Sequence, residues 1–286
     1  MVRREIDHDP MPVEAVRLLR KMRGGAQAHL IECADGHAYV VKFTNNPQHR
    51  RVLPNEWIAA EFLRYLGLST PETAVVNLSA DFLAASPDIY IQLGRERQAV
   101  PAGWHFGSRF PGDPVRTVVY DFLPDTLLTK VANLGELAGM LAFDKWMGNA
   151  DSRQAIFFRA RVHELGPAGA PERLGFVAQM VDNGYVFEGP HWRFPDSAIQ
   201  GLYFRSLVYE GVRGLESFEP WLDRILHFPE EVVDRAVNSI PRSWIEGDEE
   251  ALERLLAQLL RRRARVPDLI AASREARNDP FPAWKK

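Results

Sequence analysis

Phe143-Asp144-Lys145-Trp146-Met147-Gly148-Asn149-Ala150-Asp151-Ser152-Arg153-Gln154 and Val181-Asp182-Asn183-Gly184-Tyr185 decide how this chain is read. Each carries an Asp among loop formers beside a hydrophobic run. Ala155-Ile156-Phe157-Phe158 follows the first, and Gly175-Phe176-Val177-Ala178-Gln179-Met180 precedes the second. Paired antiparallel, the two runs bring their far ends together, so Asp151 and Asp182 lie at one end of a hairpin and face one space. Two neighbouring carboxylates are costly unless a cation or a shared proton joins them. Phosphoryl transfer uses such a pair, one carboxylate orienting the attacking hydroxyl and the other holding magnesium. The local alternatives are a capping role for Asp151 and a turn role for Asp182 before Gly184.

Upstream, Arg23-Gly24-Gly25-Ala26-Gln27 breaks a short helix expected over residues 13–21, with Val16, Leu18 and Leu19 as its apolar positions. A strand is expected over 28–33. Asp35-Gly36 signals a two-residue hairpin, and Ala38-Tyr39-Val40-Val41-Lys42-Phe43 returns. Lys42 is the odd member of that run: either it sits on a solvated strand face or it reaches phosphate inside a cleft. Residues 54–66 read as a helix, with Pro54 in the first turn and Gly67 as its stop. Glu56 aligns with Ala59, Leu63 and Leu66, and a carboxylate on an apolar line needs a cation, for which Lys42 is the candidate. Glu61, beside Trp57, Ile58 and Tyr65, competes, but the spacing favours Glu56.

Further strands are expected over 73–78, 88–93 and 116–120, with a Gly- and Pro-rich loop over 101–114. His105, in that loop, has no ligand-spaced partner and reads as a satisfied histidine rather than a metal ligand. The chain changes character near Asp121–Asp125, from mostly strand to mostly helix. A helix over 133–147, with Leu134, Leu137, Ala138 and Leu141 as its stripe, delivers the chain to the Asp151 loop. Residues 165–173 read as an exposed turn, and the stretch from Phe187 to Phe204 as irregular. Helices are expected over 218–227, 229–239, 249–263 and 267–277.

The balance of 46% hydrophobic and 26% charged residues over 286 positions suits a packed core, and nothing in the formal charge of -3 suggests a global polyanion binder. Arg261, Arg262, Arg263 and Arg265 read as the solvated end of a helix ahead of a nucleic-acid patch. Cys33 is the only cysteine, which excludes an intrachain disulfide and fits a reducing, cytoplasmic compartment. Residues 1–10 carry no signal-peptide pattern, and no stretch approaches the roughly 20 apolar residues of a membrane helix.

With these residues in place, the chain resembles the HipA-like kinases, a branch of the protein-kinase-like and lipid-kinase-like superfamily, from about Gly24 to the C-terminal helices. Gly24-Gly25-Ala26-Gln27 is similar to that family's glycine loop, Val41-Lys42-Phe43 to its nucleotide lysine, and Asn55-Glu56 to the start of the helix carrying the lysine's partner. Asn149-Ala150-Asp151 is similar to its catalytic loop and Val181-Asp182-Asn183-Gly184 to its metal-binding Asp-x-Gly. The resemblance implies an α+β, two-lobed fold: a small antiparallel-sheet lobe with one helix over 1–122 and a larger, mainly helical lobe over 123–286. It implies an ATP- and Mg2+-dependent phosphotransferase. Gly24, Gly25, Ala26 and Gln27 would approach the phosphates and Lys42, pinned by Glu56, would contact them. Backbone groups of Tyr120, Asp121, Phe122 and Leu123 would read adenine, Asp151 would accept the acceptor's proton, and Asp182 would bind the metal.

This sequence departs from the family's pattern in four respects. The metal-binding asparagine usual five positions after the catalytic Asp is Ile156, leaving Gln154 or Asn149 to supply an amide oxygen. The histidine usual two positions after it is Arg153, which could neutralise γ-phosphate charge or pair with a neighbouring carboxylate. The segment 21–25 lacks the serine used for loop autophosphorylation, and the chain lacks the longer members' extra N-terminal subdomain. The resemblance thus supports an active kinase acting on a protein Ser/Thr or a small-molecule hydroxyl. The alternatives are a nucleotide-binding pseudokinase serving as an interaction module and a small-molecule kinase of the aminoglycoside type.

Overall fold

Two bulges hide the first strand from sequence reading. In this computed structural model, which describes residues 11–162 and 173–285, the segment expected as a helix is strand β1 (Val13–Lys21). It pairs antiparallel with β2 (His29–Cys33), with register shifts between Ala15 and Arg17 and between Leu18 and Arg20. Each shift adds a residue to the period of two, so the apolar positions fall at spacings that imitate a helix. Val13, Ala15 and Leu18 still pack inward.

The second correction is the loop expected over 101–114. Its middle is strand β7 (Gly103–Arg109), which lies between β3 (Ala38–Lys42) and β4 (Thr73–Leu78) and completes a closed barrel in the order β1-β2-β3-β7-β4. Gly107 is needed there, because a Cβ would lie 2.6 Å from Val76 Cγ2. His105 is buried in the strand. Its Nδ1 accepts from Thr44 N at 3.1 Å and its Nε2 donates to Pro101 O at 3.0 Å, so it is a satisfied core histidine. Strands β5 (Tyr90–Leu93) and β6 (Glu96–Ala99) form a separate hairpin.

Helix α1 (Val52–Leu66) carries Pro54 in its first turn and ends at Gly67 with φ 72°. Nearly every face is buried, which is why two charged or amide residues inside it, Asn55 and Glu56, need dedicated partners. Glu61 pairs with Arg64 on the exposed side, so the spacing rule chose between the two glutamates correctly. A short α2 (Ala80–Ala85) was not anticipated; Ser79 caps it by accepting from Phe82 N.

Beyond the barrel, β8 (Val119–Tyr120), β9 (Gln154–Val162) and β10 (Arg173–Val181) form a sheet in the order β10-β9-β8. The β9–β10 pairing is antiparallel and sets Gln154 opposite Val181, which places Asp151 and Asp182 at the same end of the hairpin. The expected turn over 165–173 falls, but for its last residue, outside the described residues, as do residues 1–10. The remaining helices are α3 (Asp125–Leu128), α4 (Glu136–Met147), α5 (Trp221–Leu226), α6 (Glu230–Asn238), α7 (Arg242–Ile245), α8 (Glu249–Arg262) and α9 (Val266–Ala272). The last is shorter than the expected 267–277, giving way to a 3-10 turn over 273–275. α1 and α4 meet through Phe62 stacked on Trp146 at 5.5 Å, with Phe228 on both. The content is mixed α+β. Among the described residues no helix is long and apolar enough to cross a membrane.

The arginine run near the end is not simply solvated. Arg262 is buried, donating to Lys145 O and pairing with Asp196, while Arg263 donates to Phe228 O. The Arg262 bonds to Lys145 O tie the end of α8 to the end of α4, the helix that leads into the Asp151 loop.

Candidate active site

Lys42 sits at the centre of the site because two carboxylates from distant parts of the chain claim it. Its Nζ donates to Glu56 Oε1 in a short contact and to Asp182 Oδ1 at 2.8 Å. Burial alone would lower the Lys42 ammonium, but Glu56 and then Asp182 outweigh it and raise it above its ordinary value. Lys42 in turn holds Asp182 below the usual carboxylate range, against the opposing effect of burial, with smaller help from Arg153 and Gln154. The Asp182 carboxylate is therefore ionised at neutral pH while still about a quarter exposed, at 27%.

The Asp151 loop is held from beneath. α4 ends at Gly148, with φ 62°, where a Cβ would lie 2.9 Å from Phe194 Cδ1. Asn149 then donates through Nδ2 to Asp144 Oδ1 at 3.0 Å and accepts from Asp151 N at 3.1 Å. Ala150 N donates to Tyr185 O at 3.0 Å, joining this loop to the one after Asp182. Asp151 Oδ1 accepts from Ser152 N at 2.7 Å, and Gln154 Nε2 lies 3.4 Å from Asp151 Oδ2. Since Asn149 spends its amide on the loop itself, Gln154 is the amide placed next to both aspartates. Ile156 lines the same cleft two residues along β9, where strand alternation puts Gln154 and Ile156 on one face.

Arg153 is not directed at open space. It is buried at 2% exposure and forms a bidentate pair with Asp144, Nε donating to Oδ2 at 2.8 Å. Its Nη1 donates to Val181 O and to Asn183 Oδ1, each at 2.9 Å. Burial opposes both charges, raising Asp144 and working to lower Arg153, but the paired geometry keeps Arg153 above its ordinary value. Of the two roles open from sequence, the guanidinium takes the carboxylate pair. It bridges the strand end that precedes Asp182 to the helix that precedes Asp151.

The cleft above these groups encloses about 590 Å³. Gly24, Gly25 and Ala26 form part of its roof, Gly24 with φ 112°. Gln27 does not line it: its side chain is tied to the backbone of Gln92, donating to the carbonyl and accepting from the N–H, both at 2.8 Å. Val40, Phe106, Val119 and Ile156 supply an apolar part suited to a flat heterocycle. Of residues 120–123 only Asp121 lines the cleft. Tyr120 and Phe122 are exposed, and Leu123 O already accepts from Arg205.

Sequence reasoning missed Asn55, Asp144 and Asn183. The signal for Asp144 was present: it lies in a helix whose residues 137–147 are all buried, and a charge there requires a partner. No cluster of three or more His, Cys, Asp or Glu able to hold a metal occurs among the described residues. A hard cation carried in by phosphate oxygens needs only one or two protein oxygens and keeps its waters; the oxygen donors that lie together here are the Asp182 carboxylate and the adjacent Gln154 amide.

A family model described as HipA-like kinase matches residues 15–156. A crystal structure of the Golgi casein kinase with Mn/ADP bound is similar at 13% identity and TM-score 0.47, covering 94% of this chain and 74% of that one. A second crystal structure of the Golgi casein kinase gives 13% and 0.48, covering 97% and 78%. No match is found among curated proteins.

Proposed function

Over residues 15–156 the chain belongs to the HipA-like kinase family, and on that premise we propose that it is an ATP- and magnesium-dependent phosphotransferase moving the γ-phosphate to a Ser/Thr or small-molecule hydroxyl. The observation that carries this reading is the single Lys42 ammonium held by both Glu56 and Asp182 at the floor of a glycine-roofed cleft. Lys42 would contact the α- and β-phosphates, with Glu56 preventing it from swinging. Gly24 and Gly25 would let backbone N–H groups approach the phosphates. Asp182 and Gln154 would hold a divalent ion, which when bound neutralises charge between the β- and γ-phosphates. Asp151 would orient the acceptor hydroxyl and take its proton. In this reading the cleft divides a lobe over 1–122 from a lobe over 123–286, and the protein works in the cytoplasm.

One observation favours a second reading, a nucleotide-binding pseudokinase serving as an interaction module. Ile156 presents an aliphatic side chain to the cleft where the family supplies an amide oxygen. ATP turnover with and without magnesium, measured over a panel of hydroxyl acceptors, separates the two. Turnover abolished in both Asp151→Ala and Asp182→Ala supports the kinase. Nucleotide-induced thermal stabilisation without turnover on any acceptor supports the pseudokinase.

A further inference from the structure

The segment that begins at Asp182 does not hold its own shape. Asp182, Phe187, Glu188 and Trp192 all lie in the left-handed region, with φ of 61°, 59°, 55° and 52°. Non-glycine residues avoid that region, and four within eleven positions persist only where surroundings impose them. The surroundings here are the carbonyl partners of one helix and its lead-in. Asn55 Nδ2 donates to Gly184 O at 2.8 Å, to Gly189 O at 3.1 Å and to Val186 O at 3.2 Å. His49 Nε2 donates to Gly184 O at 3.1 Å, and Arg51 Nη1 to Pro190 O at 2.7 Å.

Asn55 is fully buried, and its own orientation is fixed because its Oδ1 accepts from Trp192 Nε1 at 2.8 Å. Gly184 lies flat against the same helix: a Cβ there would be 3.2 Å from Val52 Cγ1 and 3.6 Å from Glu56 Oε1. Adjacent residues of α1 therefore anchor both ends of one ion pair. Glu56 fixes Lys42, and Asn55 fixes the loop that presents Asp182.

We infer that Asn55 is a positioning residue for the divalent ion, acting through the backbone of 184–189 to set the Asp182 carboxylate. The inference rests on the reading of Asp182 as an ion ligand. Groups one step removed from a metal typically change affinity by about 10- to 100-fold when lost. The test is calorimetric titration of Mn2+ into the full chain with a non-hydrolysable ATP analogue, alongside thermal melts. Asn55→Ala should weaken Mn2+ by that factor. Trp57→Phe, also on α1, removes a bond to Ser239 without touching the loop, and should lower stability and leave Mn2+ affinity unchanged. Wild-type Mn2+ affinity in Asn55→Ala, together with lost binding in Asp182→Asn, overturns the inference and leaves the ion site standing. Wild-type affinity in Asp182→Asn overturns the ion site itself. If Asn55→Ala does not fold, Trp192→Phe removes the amide's orienting bond while keeping an aromatic ring beneath the Arg51 guanidinium. Affinity should then fall roughly fivefold, the loss of one neutral hydrogen bond, and an unchanged value refutes the role.

Discussion

Removing the Arg153 guanidinium is the sharpest perturbation the site offers. Arg153→Ala leaves Asp144, fully buried, with Asn149 as its remaining side-chain hydrogen-bond partner among the described residues, and takes the donor from Val181 O and Asn183 Oδ1. Breaking one side of a buried ion pair costs about 3–5 kcal/mol, a large part of the ~5–15 kcal/mol that holds a domain folded. At roughly 2 °C per kcal/mol for a chain of this size, the melting temperature should fall by about 6–10 °C. Turnover should fall by on the order of 100-fold, since both aspartate loops lose their common tie and small misplacements of reacting groups carry such penalties. Denaturant titration and ATP turnover measure the two effects separately. The double variant Asp144→Leu/Arg153→Met should recover most of the stability, because apolar replacement of a buried pair is often neutral. It should not recover turnover, because Asn183 Oδ1 and Asn149 Nδ2 lose the partners that tie the two loops. Arg153→Ala with stability within about 1 kcal/mol of wild type and undiminished turnover would refute this account of the site.

Three further outcomes follow from the same geometry. Burial holds the His105 and His49 imidazoles down at about 4. Between about pH 6.5 and 4 the unfolded chain thus binds protons that the folded chain does not, and stability falls with falling pH by up to ~1.4 kcal/mol per unit for each histidine. Denaturation at pH 7 and pH 5 should show this, and His105→Phe should remove about half of it. Gln154→Ala should weaken the apparent magnesium affinity by about 10-fold or more, whereas Ile156→Asn should strengthen it, both read from the magnesium dependence of turnover or of Mn2+ binding. Gly201→Ala introduces a Cβ 2.3 Å from Asp144 Cβ at φ 74°. It should cost about 1–3 kcal/mol and lower turnover, while Gly211→Ala, where a Cβ meets nothing within 4 Å, should do neither.

Where the sequence was legible, the signal was local. The β9–β10 pairing followed from two hydrophobic runs bounded by loop formers, and α1 from Pro54, Gly67 and spacing. The choice of Glu56 over Glu61 needed only the rule that a charge on an apolar line finds a partner. The failures came where spacing was corrupted or ambiguous. β1 was hidden by its bulges, and β7 by the glycines and prolines around a central strand. The arginine run was taken for a solvated helix end, because nothing local announces that Arg262 will reach Lys145 O.

The sequence by itself singled out the charged groups that meet at the cleft, since Lys42, Glu56, Asp151 and Asp182 stand out against their neighbours by type alone. Tertiary structure decided what each charge meets. It paired Arg153 with Asp144, used up Asn149 on its own loop, left Gln154 beside both aspartates and set Asn55 against three carbonyls. The reason is that hydrogen bonds and ion pairs depend on distances of a few ångströms between residues as far apart as Lys42 and Asp182. Such distances are properties of the packed chain and of no stretch within it.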